Sequence, residues 1–289
     1  MEAIQKTVPI KSLTSWRVGG TAEYFFRAKS ESELFYALNW AKIKDLPITV
    51  LGGGTNMLVS DSGVKGLVIK IDLTDIWRQG NLLVADSGYN LVKLARFVED
   101  NEFCDLSWAG GIPGSAGGAI KGNAGAFGGD MAGIVEWVEI IRDGKLIRLQ
   151  NHECGFSYRK SGIKDSDIVI RAAIKKSECS KEEIAFKRIE FGKKRRALQP
   201  GGYSAGSVFK NPPNTGAGFL IEKAGLKGFS IGGAVVSEKH ANFIINKCDA
   251  TASDIERVIE ICKERVMEKF GIILIEEIKR IGDNIIYNS

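Results

Sequence analysis

Apolar residues recur every three or four positions in three stretches of the chain, which is the period of a helix with one buried face. Each stretch follows a residue whose side chain can cap a helix N-terminus, namely Ser30, Asn90 or Ser253. Ser30 and Ser253 are also followed by Glu three positions later, which is the capping-box pattern. The pattern predicts three amphipathic helices, of which the first ends before Pro47 and the last ends at Gly271.

Strands are predicted where short apolar runs are bounded by Gly, Pro, Asn or Asp. The predicted strands are residues 48–51, 67–71, 82–85, 135–141, 145–149, 167–173, 241–245 and 272–281. The first of these is expected to be buried, and Asp143-Gly144 favours a type I′ hairpin between the fourth and the fifth. A charged helix is predicted over residues 182–198, closed by Pro200. Its run of Lys and Arg is typical of a solvated face. The local composition of the sequence changes after Pro200, which indicates a domain boundary.

The run at residues 110–129 is rich in Gly and has almost no side-chain bulk. Gly disfavours both helix and strand, so the run predicts a loop. Ile112, Pro113, Ile120 and Phe127 favour an ordered loop over a flexible linker. An ordered loop without Cβ atoms lets backbone N–H groups approach a large anion, and a dinucleotide pyrophosphate is the usual one.

Another glycine-rich turn, Gly-Gly-Gly-Thr-Asn at residues 52–56, follows the first predicted strand directly. It is not a P-loop, because no Gly-Lys-Ser/Thr follows, and it lacks the third Gly of the Gly-x-Gly-x-x-Gly fingerprint. Taken alone, it could be a plain turn. Its weight as a phosphate-binding element comes from the longer glycine run later in the chain.

Composition narrows the function classes. The chain has 289 residues, of which 44% are hydrophobic and 26% charged, as expected for a globular protein of about two domains. A formal charge of +5 fits an anionic small substrate but is too small to imply nucleic acid. No apolar run is long enough for a membrane span, and the N-terminus lacks the apolar core of a signal peptide. His152 and His240 are the only histidines and lie far apart in sequence, so neither a metal site nor a Ser-His-Asp triad is expected.

The cysteines bear on the compartment. They are odd in number, scattered and without a Cys-x-x-Cys pair: Cys104, Cys154, Cys179, Cys248 and Cys262. Such cysteines are typical of reduced thiols, so we expect a cytoplasmic protein.

Longer motifs resemble those of one family of flavoenzymes. They are Gly52-Gly-Gly-Thr-Asn56, Gly111-Ile-Pro-Gly-Ser-Ala-Gly-Gly-Ala119, Asn123-Ala-Gly125, Tyr158-Arg159, Ser204-Ala-Gly-Ser-Val-Phe-Lys-Asn-Pro212, Ala217-Gly-Phe-Leu-Ile-Glu-Lys-Ala-Gly-Leu-Lys-Gly228, Val236-Ser-Glu-Lys-His-Ala-Asn-Phe243 and Leu274-Ile-Glu-Glu-Ile278. They span nearly the whole chain in family order, and the motifs at residues 204–212 and 217–228 are together highly specific. On these motifs the chain resembles the UDP-N-acetylenolpyruvoylglucosamine reductases (UDP-N-acetylmuramate dehydrogenases), in the branch without the extra tyrosine loop.

The resemblance implies an α+β fold in three parts. Residues 1–70 and 71–198 would form two α/β subdomains that bind flavin, of the vanillyl-alcohol-oxidase (PCMH) type. Residues 199–289 would form an α+β substrate-binding C-terminal domain. The implied enzyme contains FAD and uses NADPH to reduce the enolpyruvyl ether of UDP-N-acetylglucosamine to UDP-N-acetylmuramate. That reaction belongs to peptidoglycan precursor synthesis, and therefore to cell-wall biogenesis, cell shape and cell division. A monomer is expected.

The resemblance also implies how the cofactor is held. Main-chain N–H groups of the two glycine loops would bind FAD, and a helix N-terminus could add its dipole. The implied FAD-binding residues are Gly52, Gly53, Gly54, Thr55, Asn56, Ile112, Pro113, Gly114, Ser115, Gly117, Gly118, Asn123, Ala124 and Gly125. His152 and His240 match no motif for covalent attachment, so bound but unlinked FAD is expected.

By the same resemblance, three residues carry the chemistry. Arg159 and Glu277 would stabilise the charge that develops on the substrate carboxylate as hydride reaches C3, and Ser207 would give a proton to C2. Glu276 and Glu277 are neighbours on a predicted strand and would face opposite sides, and the register of the motif favours Glu277. The implied substrate-binding residues are Tyr158, Arg159, Arg196, Lys210 and Asn211, of which the last three are candidates for the diphosphate. His240 and Asn242 are interpreted as structural.

The chain departs from the family pattern at Lys121-Gly122, where an apolar residue and Met are frequent. Two other functions stay open on the sequence. One is an oxidase of the same fold that uses O₂, which would give Ser207 no natural role. The other is a nucleotide-binding regulatory module without turnover, for which the basic run at residues 193–196 would be a docking face.

Overall fold

The computed structural model describes residues 3–178 and 180–282. Within them the helices are α1 (Glu31–Ile43), α2 (Leu91–Asp100), α3 (Ala116–Lys121), α4 (Met131–Ile134), α5 (Lys181–Leu198), α6 (Ala217–Lys223) and α7 (Ala252–Phe270). The strands are β1 (Gln5–Pro9), β2 (Thr21–Ala28), β3 (Ile48–Leu51), β4 (Met57–Val59), β5 (Val64–Ile71), β6 (Ile76–Gln79), β7 (Leu82–Asp86), β8 (Gly125–Ala126), β9 (Gly129–Asp130), β10 (Val135–Arg142), β11 (Lys145–Gln150), β12 (Ile168–Lys175), β13 (Ser230–Ile231), β14 (Ala234–Val236), β15 (Ile244–Asn246) and β16 (Lys279–Ile281). Short 3₁₀ helices lie at Lys11–Leu13, Ser107–Ala109 and Asn151–Cys154.

Contacts between residues divide the chain into two compact units, each made of separate stretches of sequence. Unit 1 comprises Phe26–Gly53 and Ile69–Arg195 with the first residues of the chain, and unit 2 comprises Gln5–Phe25, Gly54–Val68 and the chain from Arg196 onward. The three-part division at residues 70 and 198 therefore stays a prediction. Cys179 and the last seven residues of the predicted third part lie outside the described residues.

Unit 1 contains a five-stranded antiparallel sheet with the strand order β11-β10-β12-β7-β6. Asp143 and Gly144 join β10 to β11 and both have positive φ, +52° and +75°, which confirms the type I′ turn. Helix α2 begins at the predicted Asn90 cap and buries Leu94 and Val98 in the core beside the sheet. The amphipathic spacing of α2 therefore describes its buried face correctly.

Helix α5 is fixed to α2 by a buried ion pair within unit 1. Arg188 Nε and Nη2 donate to the two carboxylate oxygens of Glu99 at 2.5 and 3.2 Å, and the Glu99 side chain is almost fully buried. A two-pronged contact of this kind fixes direction as well as position. The charged helix predicted for residues 182–198 thus contacts unit 1 along one side, and the rest of its surface forms the predicted solvated face.

A four-stranded sheet has the order β1-β2-β5-β3, with β3 at its edge. The prediction that this strand is buried is wrong, since Ile48 is 38% exposed and only Leu51 is fully buried. The edge position explains the difference, because among the described strands only β5 lies beside β3. Helix α1 begins as predicted, with the Ser30 hydroxyl accepting from the Glu33 N–H.

Unit 2 has its core between α7, α6 and the three-stranded sheet β13-β14-β15. The buried residues of α7 are Ala252, Ile255, Val258, Ile259, Cys262 and Val266. Its capping box is formed by Thr251 and Asp254, two residues before the predicted one. Ser253 instead donates through its N–H and hydroxyl to the Asp61 carboxylate, each at 2.9 Å. The helix ends as predicted at Gly271, whose φ of +66° belongs to the left-handed region.

The last predicted strand, residues 272–281, is mostly not a strand. Only β16 pairs regularly, and it runs parallel to β4. Upstream of it, Glu276 forms a single bridge with Phe209. The strand predicted at residues 241–245 is also displaced, since β15 begins at Ile244.

Four cysteines are described, and none of them forms a disulfide. Cys104, Cys154 and Cys262 are buried and Cys248 is exposed. Burial raises the pKa of Cys154 to about 11 and that of Cys262 to about 12, so both are protonated at neutral pH. None of the described helices is long and apolar enough to cross a membrane.

Candidate functional site

The two glycine loops of the sequence meet within unit 1. A Cβ atom on Gly53 would lie 2.5 Å from Gly114 Cα and 3.0 Å from Ser115 N. A Cβ atom on Gly52 would lie 2.7 Å from Ser115 Oγ. These separations are shorter than non-bonded atoms tolerate. The approach of the two backbones therefore requires Gly at position 53, and a Cβ atom at position 52 would displace the Ser115 hydroxyl.

The run at residues 110–129 is more regular than the predicted loop. It contains α3 and the two-stranded ribbon β8–β9. Ser115 caps α3 by accepting from the Gly118 N–H at 3.4 Å, and Ala119 and Ile120 are buried in the core of unit 1. Burial of this apolar face offsets the low helix propensity of Gly117 and Gly118.

Hydrogen bonding separates the predicted phosphate donors into two groups. The N–H of Gly117 donates to Ser87 O at 2.8 Å, and that of Gly118 to the Ser115 hydroxyl, so both are occupied. In the part of the chain that the structure describes, the N–H groups of Gly53, Gly114 and Ser115 donate to no protein acceptor. These three lie where the loops meet. A cradle of uncommitted N–H groups without Cβ atoms fits the pyrophosphate of a dinucleotide such as FAD.

The remainder of the first loop, residues 54–56, belongs to unit 2. Gly54 has φ +67°, and a Cβ atom there would lie 1.9 Å from Leu13 O, so this position also requires Gly. The Asn56 side-chain amide donates to Glu277 O at 3.1 Å, and Asn56 O accepts from the Lys279 N–H at 3.0 Å. The side-chain amide of Asn56, a predicted FAD-binding residue, is thus hydrogen-bonded to the backbone of Glu277.

Arg159 lies at the corner of a tight turn in unit 1. Ser157 and Lys160 exchange two backbone hydrogen bonds of 2.9 and 3.1 Å around it, and Arg159 has φ +53°. Its guanidinium carbon lies 5.3 Å from the centroid of the Tyr158 ring. The turn is held by Asn123, which is buried and donates to Ser157 O at 2.9 Å. The side chain of Asn123, predicted among the FAD-binding residues, therefore positions the Arg159 turn.

A second arginine beside Arg159 was not predicted. Arg195 is half-buried, donates from Nη2 to Trp108 O at 3.0 Å, and lies with its guanidinium carbon 5.2 Å from the centroid of Phe127. Its Nε is buried without a hydrogen-bond partner among the described residues. Burial and the like charge of Arg159 lower the pKa of Arg195. The predicted residue, Arg196, is exposed, and its carbonyl accepts from Lys239 Nζ. A run of four basic residues gives no sign of which one is buried, so composition alone could not separate them.

An aromatic groove lies near Arg195 in unit 1. It has a volume of about 370 Å³, and its lining includes Trp108, Phe127 and Phe191. The rings of Phe127 and Phe191 stack with centroids 4.4 Å apart. Asp105 and Lys187 form an ion pair of 2.8 Å at its wall, and Asp130, which also lines it, accepts from the Asn123 amide and the Gly133 N–H.

Ser207 precedes a buried extended segment in unit 2. Val208 and Phe209 are fully buried. The segment pairs with residues 275–277, because Lys210 N donates to Ile275 O at 2.9 Å and Glu277 N to Val208 O at 2.8 Å. Two motifs separated by some seventy residues are thus joined by backbone hydrogen bonds. The side chains of Ser207 and Glu277 are both half-buried.

The two adjacent glutamates have different surroundings. Arg280 donates to both carboxylate oxygens of Glu276 at 2.8 and 2.9 Å, and Lys263 forms a further ion pair with it. Burial raises the pKa of Glu276, but the hydrogen bonds and charges of Arg280 and Lys263 outweigh burial and hold it below its usual value. Glu276 is therefore a charged structural residue, which leaves Glu277 as the candidate for chemistry.

The other candidates of the sequence fall into structural and exposed groups. Asn211 Oδ1 accepts from the Ala217 N–H at 3.0 Å at the start of α6, and Lys210 is half-buried. Lys121 Nζ donates to Asp165 O and Asp167 O at 2.9 and 3.0 Å. His240 Nδ1 accepts from the Asn242 N–H at 3.2 Å, and burial lowers the pKa of His240. Of these, Asn211, Lys121 and His240 have evident structural partners.

Comparisons with known proteins agree with this arrangement. The family model "UDP-N-acetylenolpyruvoylglucosamine reductase, C-terminal domain" matches residues 199–281, and the model "FAD binding domain" matches residues 22–150. The UDP-N-acetylenolpyruvoylglucosamine reductase of Caldanaerobacter subterraneus is 42% identical over 279 residues, which are 95% of this chain and 92% of the relative. That of Caldicellulosiruptor bescii is 43% identical over 286 residues, 96% of this chain and 90% of the relative.

A solved structure gives the same result. The crystal structure of the UDP-N-acetylenolpyruvylglucosamine reductase from Thermus caldophilus has a TM-score of 0.85 and 34% sequence identity, and the match covers 97% of this chain and all of that one. The fold class is thereby confirmed as α+β, with an FAD-binding part and a C-terminal domain, in an FAD-containing oxidoreductase. With relatives of this identity over nearly its full length, the chain belongs to the UDP-N-acetylenolpyruvoylglucosamine reductase family.

Proposed function

We propose that Arg159, Ser207 and Glu277 carry out the reduction of the enolpyruvyl ether of UDP-N-acetylglucosamine to UDP-N-acetylmuramate in this chain. The observation that carries the proposal is the backbone pairing of residues 208–210 with residues 275–277. That pairing fixes a hydroxyl and a carboxyl, from distant motifs, on adjoining segments. A site that must give a proton and stabilise charge at neighbouring atoms needs such fixed groups.

The cofactor and the protein divide the chemistry between them. When bound, FAD supplies hydride transfer, which moves two electrons and one proton together from NADPH to the substrate double bond. Gly53, Gly114 and Ser115 are suited to hold its pyrophosphate through their N–H groups. Ser207 Oγ gives a proton to C2, and the Arg159 guanidinium and the Glu277 carboxyl stabilise the charge on the carboxylate side.

Arg195 extends the proposed anion site. Burial and the like charge of Arg159 lower the pKa of Arg195, and the buried Nε of Arg195 has no hydrogen-bond partner in the part of the chain that the structure describes. These features favour an anionic ligand over a protein partner. We propose that Arg195 joins Tyr158 and Arg159 in binding the anionic part of the substrate. Lys210, Asn211 and Arg196 stay candidates for the diphosphate. Arg195→Gln should raise KM for the enolpyruvyl substrate at least tenfold, and an unchanged KM would remove Arg195 from the site.

The test of the catalytic roles separates the two halves of the reaction. Ser207→Ala should leave bleaching of bound flavin by NADPH within about a factor of two of wild type, because that half needs no proton from Ser207. Recovery of the flavin absorbance on adding the enolpyruvyl substrate should slow by roughly 10²–10⁴-fold, the usual worth of a positioned acid. The control is Ser204→Ala, in the same loop three residues earlier.

Two results would contradict the proposal. Equal slowing of both halves by Ser207→Ala would assign Ser207 to loop structure, and so would an unchanged rate in both. Cys at position 207 should restore part of the rate, since a thiol can also give a proton. Fast recovery with O₂ alone, without the enolpyruvyl substrate, would favour the oxidase alternative.

We also propose that the protein acts as a monomer in the cytoplasm. The odd number and scattered positions of the cysteines support a reducing compartment. Sedimentation of the FAD-loaded protein should give a mass close to 31.5 kDa, and cell fractionation should recover it with cytoplasmic markers. A mass of twice that value or more would contradict the monomer. Recovery outside the cytoplasmic fraction would contradict the cytoplasmic location.

A further inference from the structure

Asn242 makes an unusual set of contacts with the segment that follows Ser207. Its side-chain Oδ1 accepts from Phe209 N at 2.9 Å, and its Nδ2 donates to Phe209 O at 2.8 Å. Its own carbonyl accepts from Val208 N at 2.9 Å. Asn242 is only 3% exposed, so water does not compete for these bonds.

The geometry of the pairing explains why an amide stands there. Phe209 and Glu276 face each other as a pair flanked by hydrogen bonds on both sides, from Lys210 N to Ile275 O and from Glu277 N to Val208 O. In an antiparallel pair of this kind, the N–H and C=O of the central residue point to the opposite edge. Both groups of Phe209 would therefore be buried without partners if Asn242 were absent. One amide, with a donor and an acceptor side by side, satisfies both.

We infer that Asn242 is a positioning residue for Ser207, acting as a single-residue strand partner that fixes the segment from its second edge. This inference rests on the proposed role of Ser207 as the proton donor. The segment is tied to residues 275–277 on one edge and to Asn242 on the other, so its start, where Ser207 stands, has little freedom. A proton donor displaced by about 1 Å loses much of its rate advantage, because the transfer depends steeply on distance and direction.

The substitution that tests this is Asn242→Asp. It preserves shape and the acceptor for Phe209 N, but it replaces the donor to Phe209 O with an oxygen. Asn246→Asp is the matched control. Asn246 is also buried in unit 2, and its amide likewise joins two backbone groups, donating to Trp16 O at 2.9 Å and accepting from Ala250 N at 3.0 Å. A general loss of stability would affect both variants, whereas a positioning role belongs to Asn242 alone.

The kinetic readout uses the FAD-loaded enzyme. In Asn242→Asp, recovery of flavin absorbance with the enolpyruvyl substrate should slow at least tenfold, while bleaching by NADPH stays within about twofold. Asn246→Asp should show no such split. In a Ser207→Ala background, Asn242→Asp should add less than about a threefold further effect, because a residue that acts through Ser207 has nothing left to position.

Amide hydrogen exchange gives a readout that does not depend on turnover. In the wild type, the Phe209 amide should exchange as slowly as the amides of β14 and β15. In Asn242→Asp its protection should fall at least tenfold, with no comparable change in Asn246→Asp. If Asn242→Asp does not fold, Asn242→Ala, which buries no charge, takes its place in every measurement.

Several outcomes overturn the inference. Equal slowing of both halves would make Asn242 merely structural. A full additional loss in the Ser207→Ala background would show that Asn242 acts on some other residue. Rapid exchange of the Phe209 amide in the wild type would show that the hydrogen bond from Phe209 N to Asn242 does not hold in solution. Failure of the proposed function is distinct, since it is seen when Ser207→Ala itself leaves recovery unchanged.

Discussion

The two units use different parts of the polypeptide for function. In unit 1 the proposed cofactor cradle is made of backbone, and it requires the absence of a side chain at Gly53, which approaches Gly114 closely, and at Gly114, whose φ is +133°. In unit 2 the proposed catalytic pair is made of side chains, and its requirement is the pairing of residues 208–210 with residues 275–277. The cradle of unit 1 depends on the absence of side chains, and the pair of unit 2 depends on contacts between distant segments of the chain.

That difference decides how each region responds to change. A cradle of backbone tolerates no added carbon, but it imposes little on the identity of residues around it. Shape-preserving substitutions in a catalytic pair of side chains leave the stability of the fold nearly unchanged but lower the reaction rate. Variants that separate cofactor content from rate and from stability therefore probe the two regions independently.

The largest effect is expected for Gly53→Val. Its first side-chain carbon would lie 2.5 Å from Gly114 Cα, so the two loops must separate and the cradle is lost. Flavin content after purification, measured from the absorbance spectrum, should fall below about a tenth of wild type, and Gly114→Val should behave alike. The control is Gly201→Val, because a Cβ atom at Gly201 meets nothing within 4 Å. Full flavin in Gly53→Val would mean that the loops do not bind the pyrophosphate.

The same contrast explains what the sequence could predict. The glycine content of residues 110–129 indicates a close backbone approach by itself, whereas the turn at residues 52–56 becomes a candidate only beside that longer run. Local signals were equally informative at the Asn90 cap, the Asp143-Gly144 turn and Gly271, since each rule involves only neighbouring residues.

Signals that depend on tertiary contacts were missed. The helix α3 forms in a glycine run because its apolar face is buried, which propensity does not register. The cap of α7 shifted to Thr251 because Asp61, far away in sequence, binds Ser253. Asn123 and Asn242 are buried amides that bind the backbone of Ser157 and of Phe209, and nothing in their spacing indicates those partners.

The next largest effect is expected for the adjacent glutamates, which should divide rate from stability. Glu277→Gln should lower turnover by about 10²-fold, the worth of one stabilising group in the transition state, with a small change in melting temperature. Glu276→Gln should do the reverse, because it weakens the bonds to Arg280 and Lys263. Turnover at saturating substrate and thermal unfolding measure the two. If Glu276→Gln lost the turnover and Glu277→Gln kept it, the two assignments would have to be exchanged.

A smaller effect is expected for Arg159→Lys. Lys has the same Cβ atom and so bears the same cost of the φ of +53°, which isolates the loss of the planar guanidinium fork. Turnover should fall by more than about tenfold, equivalent to ~1.4 kcal/mol in the barrier. Lys160→Arg, at the next position of the same turn, serves as the control and should stay within twofold. Wild-type kinetics in Arg159→Lys would place Arg159 outside the reaction.

The smallest effect concerns the pH dependence that Glu276 gives to unit 2. Since Arg280 and Lys263 hold the pKa of Glu276 below its usual value of 4.5 in the folded protein, this residue stabilises the fold wherever it is ionised in both states. That contribution is fully present above the unfolded-state pKa and is lost as pH falls through the lower folded-state pKa. The difference in unfolding free energy between wild type and Glu276→Gln should be about 1–3 kcal/mol near pH 7 and should shrink below pH 4.5. Carboxyls outside this ion-pair network cancel in the difference, which therefore reports the network that Glu276 forms with Arg280 and Lys263. Glu268→Gln is the control, because its ion pair with Arg265 is exposed and should contribute at most ~0.5 kcal/mol at any pH. A difference that grew toward low pH would reverse the sign of the argument and exclude an ionised Glu276 in the folded state.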